Sequence, residues 1–203
     1  MSIQVKISKK LVPYETAFSF LKKRVELVKK SQGRELVWIL EHLLTFTRGI
    51  RSRDSEIIDK KIKIIKTNRG GKITLHSPVQ KIIYFVLNLN KRKKDIRNLV
   101  RKIELSIIEF LKLYEIESYA DKKNVGIWVK DKKIAAIGIR VSNWVAYHGY
   151  SINITNNLDY YKKIIPCGLD NTKITSINIE SKIKVINIEN KIRDIFLKNL
   201  KNI

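Results

Sequence analysis

Ile82-Ile-Tyr-Phe-Val-Leu-Asn-Leu89 is apolar along almost its whole length, with Pro78 before it and the charged run Lys91-Arg-Lys-Lys-Asp95 after it. A stretch this short, rich in β-branched and aromatic residues, reads as a strand covered on both faces. Leu36-Val-Trp-Ile-Leu40 is a second buried strand of the same kind. Their covers are legible nearby. Residues 14–31 carry Ala17, Leu21, Val25 and Val28 on one helical face, with Pro13 near the start and Gln32-Gly33 at the end. A longer amphipathic helix is expected over about 95–115, with Ile96, Leu99, Val100, Ile103, Ile107, Phe110, Leu111 and Tyr114 on its core side. Ile188, Ile192, Ile195, Phe196 and Leu200 mark a C-terminal helix.

The remaining segments are shorter. Lys61–Thr67 and Lys72–His76 alternate like strands, separated by Asn68-Arg-Gly-Gly71. Thr45-Phe-Thr-Arg-Gly49 reads as a turn or loop, and 50–60 as charged and irregular. Gly126–Val129, Lys133–Val141 and Trp144–Ile154 are β-like. No repeat, linker or sharp change of composition interrupts the 203 residues. The expectation is one α+β domain over 1–203: a mixed or antiparallel sheet with helices segregated on it.

Forty-two basic residues against 19 acidic ones give a net charge of +23. Such a charge favours an acidic partner. Lysine is spread along the whole chain, and no arginine-rich block or basic stripe interleaved with aromatics stands out, so nucleic acid is not the expected partner. No stretch approaches the roughly 20 apolar residues of a membrane span. The N-terminus has no apolar run of a signal peptide. One cysteine excludes an internal disulfide and fits the reducing cytoplasm.

That cysteine, Cys167, stands between Pro166 and Gly168, the setting of a turn. By residue type alone, a lone cysteine is most often a small buried hydrophobe, and Lys133 is one basic residue among many. Gly70 and Gly71 let backbone pass close to a ligand or simply make a turn. His42, His76 and His148 are scattered, with no cysteine pair, and suggest no metal site.

In order along the chain, however, stand Glu41-His42 with Thr47-Arg-Gly49, then Arg69-Gly-Gly-Lys-Ile-Thr-Leu-His76 with Pro78 and Gln80. Gly126-Ile-Trp-Val129, Lys133-Ile-Ala-Ala-Ile-Gly138, Trp144-Val-Ala-Tyr-His-Gly149, and Pro166-Cys-Gly168 with Thr175-Ser176 follow. This ordered set, spanning about residues 36–176, resembles the octanoyltransferase (lipoyl(octanoyl) transferase) family of the biotin/lipoate protein ligase superfamily.

The resemblance implies that family's catalytic fold and a cysteine acyltransferase without a cofactor. Cys167 would take an octanoyl group from octanoyl-acyl carrier protein as a thioester. It would pass the group to a lysine of a lipoyl domain, the first step of protein lipoylation. Lys133 would favour the thiolate and handle protons. The segments Arg69, Gly70, Gly71, Lys72, Ile73, Thr74, Leu75 and His76; Ala136, Ile137 and Gly138; and Gly149, Tyr150 and Ser151 would contact the substrate. Small residues there leave room for an aliphatic chain. Ser77 and Val79 replace two family glycines, and if either position needs positive φ the exchange costs roughly 1–2 kcal/mol. Leu43 and Leu44 stand where the family has prolines after Glu-His. An ATP-dependent lipoate or biotin ligase of the same fold, and a basic non-enzymatic binding module, are the alternative readings.

Overall fold

The computed structural model describes residues 3–121, 124–166, 173–201 and 203. Its main sheet has the order β1-β2-β6-β10-β9-β8-β7. These strands are β1 (Gln4–Ile7), β2 (Leu36–Leu40), β6 (Gln80–Asn88), β7 (Tyr119–Ala120), β8 (Ile127–Val129), β9 (Lys132–Ser142) and β10 (Val145–Asn153). Only the β1–β2 pairing is parallel; the others are antiparallel. A smaller sheet has the order β4-β3-β5, from β3 (Thr45–Arg48), β4 (Ile64–Lys66) and β5 (Ile73–His76).

The central apolar run is a strand with two buried faces. Ile82, Tyr84 and Val86 meet α1 (Tyr14–Lys29), which contributes Ala17, Leu21, Val25 and Val28. Ile83, Phe85 and Leu87 meet α2 (Ile96–Lys112) and α4 (Ile188–Leu200) through Leu99, Ile103, Phe110 and Phe196. The short α3 (Ile177–Glu180) seats Ile177 in this second core. The helices therefore cover both faces of the sheet, because β2 and β6 are apolar at successive positions and not at alternate ones.

Local chemistry sets the boundaries. The first helix stops at Lys29, short of Gln32-Gly33, because Ser31 takes a left-handed φ of 58° and Gln32 N–H donates back to Leu27 O at 2.9 Å. Asp95 caps α2 by accepting from Asn98 N–H at 2.9 Å. Ile96, expected on the core side, is 38% exposed, since it opens the first turn before the helix reaches the sheet. Thr45–Arg48, expected as a turn or loop, is a strand. Pairing with Ile64–Lys66 and Ile73–His76 makes it one, which a four-residue segment does not reveal by itself. No helix among the described residues is long and apolar enough to cross a membrane.

Candidate active site

The register of the three central strands lays out a floor in transverse rows. Ile82, Ser151 and Ala136 form one row, Tyr84, Gly149 and Gly138 the next, and Val86, Tyr147 and Arg140 the third. The start of α1 covers the β6 side, with Tyr14 on the cleft wall. Over β9 and β10 the small residues leave an open cleft. Gly149 lets the strands close up: a Cβ there would lie 1.8 Å from Ile83 O. The loop before β5 roofs the cleft, held to β9 by Gly70 N–H donating to Ile139 O at 3.3 Å. Arg69, nearly buried, donates from Nη2 to Thr47 O and Oγ1, both at 3.0 Å.

One end of the cleft is aromatic. Tyr14 stacks on His76 at 5.9 Å between centroids and lies 5.2 Å from His42. His42 Nδ1 faces Val12 O at 2.6 Å. A carbonyl only accepts, so Nδ1 carries the proton and Nε2 accepts from the Tyr84 hydroxyl at 2.9 Å. His76 Nδ1 donates to Gln80 Oε1, and Gln80 Nε2 donates to Asn153 Oδ1 at 2.9 Å. His148, in the middle of β10, has φ 69° and stacks on Phe18. Its Nε2 donates to Asn68 Oδ1 at 2.7 Å. A non-glycine residue in that conformation inside a strand is strained, and it sits on the cleft wall.

Burial keeps all three imidazoles neutral. It lowers His42 to about 4 against the opposing Val12 carbonyl and Glu15. Burial, with Arg69 and Arg140 adding to it, brings His148 to about 3. His76 lies well below its ordinary value through burial, then His42 and Arg69. Among the described residues no group of His, Cys, Asp or Glu could hold a metal ion.

At the other end is Lys133, 4% exposed. Its Nζ donates to Val125 O at 2.9 Å and stands 5.0 Å from the centroid of the Trp128 ring. Gly126, at φ 140°, makes room: a Cβ would lie 2.9 Å from Lys133 Cε and 2.6 Å from Ala135 O. Both backbone groups of Lys133 serve the chain that follows the cysteine segment. Its N–H donates to Lys173 O at 2.8 Å, and its C=O accepts from Thr175 N–H at 3.0 Å. Pro166, Ile174, Asn153 and Tyr161 line a small cavity with Lys133, which Thr74, Ala136 and Ser151 share with the larger cleft.

The sequence-derived residues fall into three groups. Arg69, Gly71, Lys72, Thr74 and His76, with Ala136–Gly138 and Gly149–Ser151, line the cleft. Gly70 contributes its backbone to the roof, while Ile73 and Leu75 turn into the small-sheet core with Phe46. Cys167 and Gly168 lie outside the described residues. Tyr14 and Tyr84 line the cleft and were not anticipated; the two-residue period of Ile82, Tyr84 and Val86 is the signal that puts Tyr84 on the α1 face. Of the two replaced glycines, Val79 does adopt positive φ, 56°, with its N–H held by Glu41 Oε2 at 2.7 Å. Ser77 is buried without it. Lys81, beside this loop, pairs with Glu41 at 2.5 Å and with Glu189 in the first turn of α4.

A family model described as the lipoyl protein ligase A/B catalytic domain matches residues 13–200. The chain belongs to this family. It is 42% identical over 176 residues to an octanoyltransferase of Wolbachia sp. subsp. Brugia malayi (strain TRS), covering 84% of this chain and 86% of that one. An octanoyltransferase of Anaplasma phagocytophilum (strain HZ) is 40% identical over 188 residues, 90% of each chain. Relatives of this name and closeness make the chain an acyltransferase of protein lipoylation. Among solved structures, a lipoate-protein ligase A bound with ATP superposes with a TM-score of 0.76 at 14% identity, covering 98% of this chain and 86% of that one. A bipartite lipoate protein ligase from Thermoplasma acidophilum gives 0.74 at 14% identity, covering 99% and 84%. These two share the fold.

Proposed function

We propose that residues 1–203 act as one cytoplasmic catalytic domain that moves an octanoyl group from acyl carrier protein to a lysine of a lipoyl domain through Cys167. The Cys167 thiolate attacks the carrier thioester; the carrier thiolate leaves, and an octanoyl-S-Cys167 thioester remains. The acceptor amine then attacks this thioester, loses a proton, and Cys167 departs as the thiolate. A thioester exchanged for a thioester is nearly balanced in energy, so the first step needs no ATP. The second, thioester to amide, runs downhill.

The observation that carries this reading is the clamp at Lys133. In sequence the only cysteine lies between Pro166, on the wall of the Lys133 cavity, and Lys173, whose C=O accepts from the Lys133 N–H. An ammonium near a thiol favours its thiolate. Arg69, Gly70, Gly71, Lys72, Ile73, Thr74, Leu75, His76, Ala136, Ile137, Gly138, Gly149, Tyr150 and Ser151 make up the acyl site in this reading. Ile73 and Leu75 act there by seating β5, and the others from the cleft wall or its roof.

Intact-mass spectrometry after mixing with octanoyl-acyl carrier protein, without ATP, tests it. A single octanoyl adduct is expected, absent from Cys167→Ala, slowed in Lys133→Ala, and discharged by a lipoyl domain. Transfer that requires ATP and free octanoate and survives Cys167→Ala would make the protein a ligase instead.

A further inference from the structure

Glycines at a cleft are usually explained by backbone. Gly71 sits at φ 88°, and a Cβ on Gly70 would lie 2.9 Å from Ile139 O. Gly149 approaches Ile83 too closely for any side chain. Gly138 has no such reason. Its φ is not positive, and an added Cβ would meet only Arg69 Cδ and Gly70 O, both at 3.5 Å, an ordinary contact distance. Yet it stands inside the long strand β9, where glycine forfeits conformational entropy for nothing the fold requires. It also lines the cleft, in the row with Tyr84 and Gly149. The missing side chain is space kept for something else.

We propose that Gly138 sets the length of acyl chain the cleft accepts, an inference that rests on the acyl-enzyme reading above. The row of Ala136 and Ser151 borders both the Lys133 cavity and the cleft. The row of Gly138 lies about 7 Å farther along the strand, the reach of about five extended methylenes. Beyond it the next row is closed. Asn68 Nδ2 donates to the Tyr147 hydroxyl at 3.1 Å, Arg140 Nη1 donates to Asn68 O at 2.9 Å, and His148 is bonded to the same Asn68. A chain anchored at the Lys133 end therefore lays its last carbons over Gly138 and stops at the Asn68 cluster. A methyl on residue 138 occupies the place of those last carbons.

The test is acylation of the intact protein by hexanoyl, octanoyl and decanoyl carrier-protein thioesters, followed by intact mass, in wild type, Gly138→Ala and Gly138→Ser. The rate ratio of octanoyl to hexanoyl is expected to fall at least about tenfold in Gly138→Ala, the scale on which a pocket discriminates a methylene. It should fall further in Gly138→Ser, with a melting temperature equal to wild type or higher for the alanine variant. An unchanged ratio in a folded variant overturns the proposal. So does failure of both variants to fold, because the backbone would then need glycine. A wild type that forms no adduct with any donor refutes the acyl-enzyme reading, and the chain-length inference falls with it.

Discussion

Acidification should unfold this protein earlier than its carboxylates alone would. His42, His76 and His148 are buried and neutral around Tyr14, Phe18 and Tyr84, with Arg69 adding repulsion at His76 and His148. In the unfolded chain each titrates near 6.5. Below that pH the unfolded state binds protons that the folded state refuses, so stability is whole above about pH 7 and is lost as the pH falls. With folded values of about 4 for His42 and about 3 for His148, each removes about 2 kcal/mol between pH 8 and pH 5. His76 adds a loss of the same sign. The combined loss of about 4 kcal/mol or more is comparable with the whole stability of an ordinary domain, about 5–15 kcal/mol.

Urea unfolding at intervals from pH 8 to pH 5 measures it. Between pH 6 and pH 5 the slope should approach about 1.4 kcal/mol per pH unit for each histidine. His148→Asn, which tolerates the left-handed backbone, should lower that slope by one histidine's share. A free energy that stays flat from pH 7 to pH 5, or a slope unaltered in His148→Asn, would refute the reasoning.

Three further outcomes are expected. Val79→Gly should raise stability by about 1 kcal/mol, the relief of a left-handed β-branched residue less glycine's own entropy, readable as a higher urea midpoint. Gly149→Ala should cost about 3 kcal/mol or more, because its Cβ has nowhere to go but into Ile83 O; thermal melting reads this directly. Raising the salt about tenfold should lower kcat/KM for an acidic acyl carrier several-fold while leaving kcat nearly alone, since a charge of +23 acts on encounter.

The elements that were legible in sequence are those whose burial is written in consecutive residues. Leu36–Leu40 and Ile82–Leu87 announce two covered faces, and α2 announces its stripe. What was not legible depends on pairing. Thr45–Arg48 has a single large apolar residue, Phe46, and is a strand only through its neighbours in the small sheet. Gln4–Ile7 is likewise a strand by virtue of β2. The motifs located Lys133 and the cleft segments by resemblance, but not which of them face the cleft. Strand alternation, which takes Ile73 and Leu75 away from it, could have given that once β5 was placed. Histidines so distant in sequence carry no sign that His42 and His76 meet at Tyr14 while His148 stacks on Phe18, four residues along the same helix. Nor could the left-handed backbone of His148 be guessed, since nothing in Tyr-His-Gly distinguishes it from ordinary strand.

The Lys81 ion pairs give the far end of the chain a hold on the site. Glu189 opens α4, Lys81 joins it to Glu41, and Glu41 carries the N–H of Val79, in the turn that follows His76. Fraying of the first turn of α4 would be felt as slack beneath His76. A fusion or truncation made at the C-terminus for convenience of purification is thus an intervention at the cleft that His76 lines, and activity measured on such a protein reports on that helix as well as on the chemistry.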